Sequence, residues 1–169
     1  DKVLESGGFD VIITNPPWDK FEPNAKEFFS AYSNLVSKKM DIKDFDSELK
    51  RLLIDEKIKK IWLKYQSDYK HQREYFRFAN QYENQVPIIK GKRHGKDVNL
   101  YKLFLENCFH LLRDNGECGI VIPSGIYTDL GSKKLREMLF SKTKVTGIFS
   151  LENRKEVFEG VHRSSKIAV

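Results

Sequence analysis

The chain has 169 residues, of which 30 are lysine or arginine and 24 are aspartate or glutamate, giving a formal net charge of +6. This length allows one domain with its own hydrophobic core, and the positive charge suits a polyanionic partner without requiring one. No apolar run reaches the roughly 18 residues that a transmembrane helix needs, and no signal-peptide pattern opens the chain, so we expect no membrane partner and a cytoplasmic location.

The two cysteines, Cys108 and Cys118, lie ten residues apart, one in a helical pattern and one in a strand pattern. That arrangement indicates neither a metal site nor a disulfide framework, and we interpret both as buried thiols of a reducing compartment. The chain opens on Asp1 rather than methionine, and it ends in an apolar run over residues 167–169. We therefore expect it to be a fragment of a longer protein.

The first predicted element is a strand over Phe9–Thr14, whose β-branched composition is typical of a strand buried on both faces of a parallel sheet. Two consecutive prolines after it end the strand. Over about residues 24–85 the composition changes to charged and aromatic residues without glycine, and the apolar residues recur at helical spacing. This predicts an insertion of two or three amphipathic helices, with breaks near residues 40–46 and near Ser67.

Glycines and positive charges in residues 87–96 predict an exposed, mobile loop. A helix is expected to follow, capped by Asp97 or Asn99 and ended at residues 115–116 by Asn-Gly. Further elements are predicted as strands over residues 118–122, 145–150 and 166–169 and a helix over residues 132–139. The alternation predicts an α/β sheet with parallel members, and the short link before the last strand suits an antiparallel final pair.

Asn15, Pro16, Pro17 and Trp18 follow the first strand directly, at the sheet edge where open α/β folds bind ligands. Two successive prolines have no N–H and a fixed φ, so they leave rigid carbonyl acceptors. The Asn15 amide oxygen and the Pro16 carbonyl can each accept one N–H of an aromatic amine, which aims the nitrogen lone pair at an electrophilic methyl group. Trp18 offers a face for a base turned out of a duplex.

Asn-Pro-Pro also occurs in ordinary turns, but the buried-strand pattern before it and the aromatic residue after it favour a functional site. In that context the residues resemble the catalytic motif of the N6-adenine DNA methyltransferases, in particular the large restriction and phage-defence enzymes. The segments that carry the resemblance are GGFDVIITNPPW (7–18), DVNLYKLFLENCFHLL (97–112), GECGIVIPS (116–124) and EVFEGVHRSSKIAV (156–169). They follow one another as in that family.

The resemblance implies that residues 1–169 are part of one methyltransferase catalytic domain. The implied α/β fold is the second half of a Rossmann-like sheet, mainly parallel with an antiparallel last strand, and carries the helical insertion. The implied cofactor is S-adenosyl-L-methionine and the implied partner is DNA. The family's glycine-rich cofactor loop is missing before Asn15. We expect the cofactor-binding strands upstream and a target-recognition domain downstream, in the remainder of the polypeptide, and we expect the isolated chain to be inactive.

The resemblance also implies residue roles. The motif's amide and first proline carbonyl would hold the adenine amino group, and Trp18 would stack on the flipped base. Phe158 matches an aromatic residue that packs against the other side of the base, although it suits an apolar plug under its loop equally well. His162 and Arg163 could contact phosphate, with a solvated loop as the alternative.

Two other interpretations are compatible with the sequence. The same acceptor array would serve methylation of RNA bases or of a protein glutamine. The basic loop over residues 90–96 and the long insertion favour a nucleic-acid substrate, but they do not separate DNA from RNA. A noncatalytic nucleic-acid-binding module, in which the helical insertion is a docking surface, is the third interpretation.

Overall fold

The computed structural model describes residues 2–37, 39–93 and 97–169. The chain forms two compact units, the sheet unit (Asp1–Lys20 with Phe76–Val169) and the helical unit (Phe21–Tyr75). The chain combines helices with strands that pair in both parallel and antiparallel fashion, so the fold is α/β. No helix within the described residues is both long enough and apolar enough to cross a bilayer.

The chain contains both helices and strands. In order they are α1 (Lys2–Glu5), β1 (Phe9–Thr14), α2 (Ala25–Ser30), α3 (Ile42–Leu52), α4 (Glu56–Phe78), β2 (Ile88–Ile89), β3 (Lys92–Arg93), α5 (Leu100–Leu111), β4 (Leu112–Ile120), β5 (Ile122–Pro123), α6 (Gly125–Thr128), α7 (Lys133–Lys142), β6 (Ser150–Glu152) and β7 (Lys166–Ala168). Short 3-10 turns lie at Asn80–Tyr82, Leu130–Ser132 and Asn153–Lys155.

Several strands of the sheet unit end at the same edge. β1 runs parallel to β4, and the backbone N–H of Val121 continues that ladder by donating to the Thr14 carbonyl at 3.0 Å. β5 pairs antiparallel with β7, and β7 pairs antiparallel with β6. The predicted first strand and the antiparallel last strand are therefore confirmed. Because β4 continues into β5 and β6 runs in the same direction as β5, the carboxyl ends of β1, β5 and β6 point to the same edge.

The predicted burial of β1 on both faces is wrong. Val11 is 53% exposed and Ile13 is 84% exposed, because β4 is the strand that pairs with β1 within the described residues and nothing there covers these side chains. β4 is also largely exposed, including Cys118. The prediction of two buried thiols therefore holds for Cys108 alone.

The strand predicted over residues 118–122 begins earlier, at Leu112, where α5 ends. Asn115 has a left-handed φ of 62°, as expected for the Asn-Gly pair, but it lies inside β4 rather than at the end of the helix. The ladder register shifts there, since Leu112 pairs with Phe9 while Glu117 already pairs with Val11. The left-handed Asn115 therefore lies in a β-bulge, where the regular pairing with β1 is interrupted.

The strand predicted over residues 145–150 forms later, as β6, although Phe149 and Val169 extend its ladder with two backbone hydrogen bonds of 2.8 Å. Asn99 occupies the N-cap position of α5 without a side-chain cap bond. Asp97 instead forms an ion pair with Lys20, at 2.7 Å between Oδ2 and Nζ.

Part of the predicted mobile loop over residues 87–96 is a hairpin. β2 and β3 pair antiparallel across a two-residue turn, and both turn residues are left-handed, with φ values of 49° at Lys90 and 73° at Gly91. Turns of this kind match the twist of paired strands. His94, Gly95 and Lys96 lie outside the described residues.

The helical unit is built from α2, α3 and α4 as far as Tyr75. An asparagine or aspartate side chain accepts a backbone N–H at the start of each: Asn24 from Glu27, Asp41 from Lys43 and Asp55 from Lys57. The break predicted near Ser67 is wrong, because α4 runs unbroken and the chain turns before Asp55 instead. That these helices form an insertion, at about residues 24–85, stays a prediction.

The core of the sheet unit supports the edge to which the strands point. It consists of Tyr101, Leu105, Ile122, Ile126, Leu135, Met138 and Ala168, all buried. The fully buried Glu106 accepts hydrogen bonds from the backbone and the side chain of Asn84 and from the side chain of Gln85. These bonds compensate the burial of a polar group on α5 and fix the segment before β2.

Candidate active site

Two hydrogen bonds to Val121 hold the segment that follows β1. The Val121 N–H donates to the Thr14 carbonyl, and the Val121 carbonyl accepts the indole N–H of Trp18 at 3.2 Å. One residue further along, the Asp19 carbonyl accepts the backbone N–H of Leu100 at 2.9 Å, at the start of α5. The three residues between Thr14 and Trp18 are therefore anchored at both ends.

The four motif residues differ in burial. Asn15 is exposed, and its side chain forms no hydrogen bond with any residue in the described part of the chain. Pro16 is buried and Pro17 is exposed. Trp18 is half-buried against the core of the sheet unit. Asn15, Pro16 and Trp18 line one cleft, and Pro17 is not among its lining residues.

This cleft is open and has a volume of about 470 Å³, within the range of about 300–1,000 Å³ that is common for small-molecule sites. One wall is the segment after β1. The other wall comes from the loop between β6 and β7 and consists of Val157, Phe158, Glu159, Gly160 and Val161. The rings of Trp18 and Phe158 meet across it, with centroids 5.6 Å apart and planes inclined by 50°. The fold thus brings Phe158 to the predicted motif.

Asn153 organises the loop that carries Phe158, and nothing in the sequence pattern singled it out. Its side chain is fully buried and forms hydrogen bonds to the backbones of Phe158 and Val161. Val121 was missed for a related reason, since both of its contacts to the motif are made by the backbone. Asn153 directly follows β6 as observed, but the predicted strand ended at residue 150, so no sequence signal pointed to it.

His162 and Arg163 lie beside a second cleft of about 540 Å³ rather than in the first. This cleft is lined by Glu156, Gly160, Val161, His162 and Arg163. The Arg163 guanidinium donates to the Glu156 carboxylate at 2.8 Å, and His162 Nδ1 accepts the backbone N–H of Ser164 at 3.2 Å. The structure therefore does not bring these two residues together with Asn15.

The geometry of the first cleft suits a flat ring with a polar edge. Trp18 and Phe158 offer aromatic faces, and stacking on such faces stabilises a bound base by about 1–3 kcal/mol. The exposed amide of Asn15 lies at the same cleft and is free to accept an N–H. An amino group on a planar ring matches both features.

Comparison with protein families identifies a relationship. The family model of the Eco57I restriction-modification methylase matches residues 65–158, which is more than half of the chain. The matched range contains Asn153 and Phe158, whereas the segment that follows β1 lies before it. No curated protein and no solved structure matches the chain.

Proposed function

Because the chain belongs to the Eco57I restriction-modification methylase family, we propose that it forms the part of a DNA methyltransferase that receives the target base. In this proposal a methyl group passes from S-adenosylmethionine to the N6 amino group of an adenine turned out of the duplex. Asn15 and Pro16 hold the amino group, Trp18 stacks on the ring, and Phe158 contacts it from the opposite wall.

The observation that carries the proposal is the shared cleft of Asn15, Pro16, Trp18 and Phe158 at the carboxyl edge of the sheet. It combines an exposed amide that lacks a partner among the described residues with two aromatic rings. Adenine presents an amine at the edge of a flat ring. The amine matches the exposed amide of Asn15, and the ring faces match the two aromatic rings.

The chain's own residues act on the amine. Its lone pair is delocalised into the ring, which makes the nitrogen a weak nucleophile. When the Asn15 amide oxygen accepts one N–H and the Pro16 carbonyl accepts the other, the nitrogen is drawn towards tetrahedral geometry and the lone pair is released. As the N–C bond forms and the donor's C–S bond breaks, the nitrogen becomes an acidic ammonium. The proton held by Asn15 can then pass to solvent water, so no strong base is needed. Acceptors fixed before the substrate arrives provide this stabilisation without reorganisation.

The methyl donor implied by the family, S-adenosylmethionine, supplies an electrophilic methyl carbon when bound. The described residues do not form the glycine-rich loop between strand and helix that such a nucleotide requires. Gly7 and Gly8 are the only adjacent glycines of the chain, and they precede β1. Packing explains Gly8, because a Cβ there would lie 2.5 Å from the Leu111 carbonyl oxygen. The proposal therefore assigns roles only around the acceptor amine.

The test is transfer of a radiolabelled methyl group by the intact protein to unmethylated genomic DNA, followed by identification of the modified nucleoside. Asn15→Ala is expected to lower kcat by about 100-fold or more, the usual effect of removing one preorganised electrostatic group. Asn107→Ala, which alters an exposed asparagine on α5, is the matched control and should behave like the parent.

N6-methyladenine as the product supports the proposal. Methylation of RNA alone, or methylglutamine as the only product, would remove the DNA claim while keeping the amine chemistry. Modification of DNA at the parental rate by Asn15→Ala would contradict the assigned chemistry and favour a binding role for this cleft.

A further inference from the structure

The loop between β6 and β7 is organised by one buried side chain. Asn153 is fully buried, and its amide makes three hydrogen bonds inside the loop. Its Oδ1 accepts the Phe158 N–H at 3.0 Å, and its Nδ2 donates to the Phe158 carbonyl at 3.0 Å and to the Val161 carbonyl at 2.9 Å. Both N–H groups of the buried amide and its oxygen are thus bonded to the backbones of two loop residues.

The pattern of these bonds restricts Phe158 in particular. Its N–H and its carbonyl bond to the same side chain, so the peptide groups on both sides of its Cα are held. The direction of the Cα–Cβ bond is then fixed, and with it the region that the ring can reach. That region faces the cleft, because the ring lies 5.6 Å from Trp18 and lines the cleft with Asn15.

The chemistry requires asparagine at this position. Aspartate has acceptor oxygens but no N–H, so it would place negative charge against two carbonyl oxygens. Glutamine has the same amide on a longer stem, and alanine has neither group. Leaving a buried donor or acceptor without a partner destabilises the folded state by more than one hydrogen bond stabilises it. The loop would therefore rearrange when Asn153 is replaced.

We propose that Asn153 is a positioning residue, whose amide clamps the backbone of Phe158 so that the ring closes on a base stacked against Trp18. The inference rests on the proposed function for the role of the ring. The clamp itself is a property of the loop and is measurable without any activity.

A double-mutant cycle on the intact protein tests the inference, with methyl transfer to unmethylated genomic DNA as the assay. Asn153→Ala is expected to lower kcat about tenfold, the effect of about one lost hydrogen bond on the reactive geometry, while KM for DNA changes less than twofold. In a Phe158→Ala background the same substitution should change kcat less than twofold, because Asn153 acts through that ring. Arg154→Ala, at the exposed neighbouring position, is the matched control.

Amide hydrogen exchange measured by mass spectrometry over residues 156–162 provides the second readout. Asn153→Ala should accelerate exchange there and leave α5 unchanged. Asn153→Asp keeps the acceptor for the Phe158 N–H, so exchange at that amide should stay slow while kcat still falls. This variant retains one bond of the clamp and serves if alanine prevents folding.

Three results for Asn153→Ala would overturn the inference: a kcat loss that multiplies with the loss of Phe158→Ala in the double variant, faster exchange over residues 156–162 without a fall in kcat, or unchanged exchange over those residues. A parent protein that methylates no DNA removes the proposed function instead. Amide hydrogen exchange then tests on its own whether Asn153 holds the Phe158 backbone.

Discussion

Replacing Trp18 separates base stacking from duplex binding. Its indole N–H donates to the Val121 carbonyl, its ring meets Phe158, and its buried side packs on the core. Trp18→Ala removes a stacking face worth about 1–3 kcal/mol, which corresponds to a loss of about 5-fold to 150-fold in the methylation rate. Phosphate contacts supply most of the nonspecific affinity, so the duplex Kd should change less than threefold.

Trp18→Phe is the informative partner variant, because it keeps an aromatic face, although a smaller one, and removes the indole N–H. It should lose about 0.5–1.5 kcal/mol of stability through the unpaired Val121 carbonyl, and most of the methylation rate should remain. Radiolabelled methyl transfer gives the rate, filter binding of duplex DNA gives Kd, and a thermal melt checks folding. Equal losses of rate and affinity in Trp18→Ala, or equal rates for the two variants, would refute the stacking role.

Two further predictions concern titratable groups away from the cleft. A hydrogen bond from the Cys108 thiol lowers the pKa of Cys118 to about 7, so alkylation of the exposed Cys118 by iodoacetamide should reach half its maximal rate near pH 7, and Cys108→Ala should move that midpoint upward. Hydrogen bonds from Arg51 and then Ser33 lower the pKa of Glu48 from 4.5 to about 2. Their stabilisation is complete above pH 4.5 and is lost as the pH falls towards 2, so thermal melts followed by circular dichroism should show a steeper acid loss of helix in the parent than in Glu48→Gln.

Local signals in the sequence predicted several elements correctly. The run of β-branched residues before the two prolines predicted β1 with both of its ends. The final apolar run predicted β7, and the short link before it predicted the antiparallel pairing. The break near Ser67 was wrong because aromatic contacts continue through that region: Tyr65 meets Trp62 at 5.6 Å and Tyr69 at 4.9 Å. The actual break has a local signal, since Asp55 caps α4.

Burial and loop geometry could not be read in the same way. An apolar composition predicts that β1 will form a strand, but the side chain of Ile13 is buried only if another element covers it. Asn15 and Phe158 could be proposed from motif and resemblance, and the structure places both at one cleft. Val121 and Asn153 act through contacts that only the folded chain creates, so no pattern of residue types indicates them.

The contact between Trp18 and Phe158 sets a condition on base binding. Two rings that enclose a base in van der Waals contact need their planes about 7 Å apart and nearly parallel. Here the centroids are 5.6 Å apart and the planes are inclined by 50°, so a base enters only if one ring turns away. The indole is held by its N–H bond and by the core. Asn153 holds only the backbone of Phe158, so the Phe158 ring can still rotate about its side-chain torsions. Under the proposed function the Phe158 ring therefore moves. It exchanges its contact with Trp18 for a contact with the base, and this exchange offsets part of the cost of taking the base out of its stack.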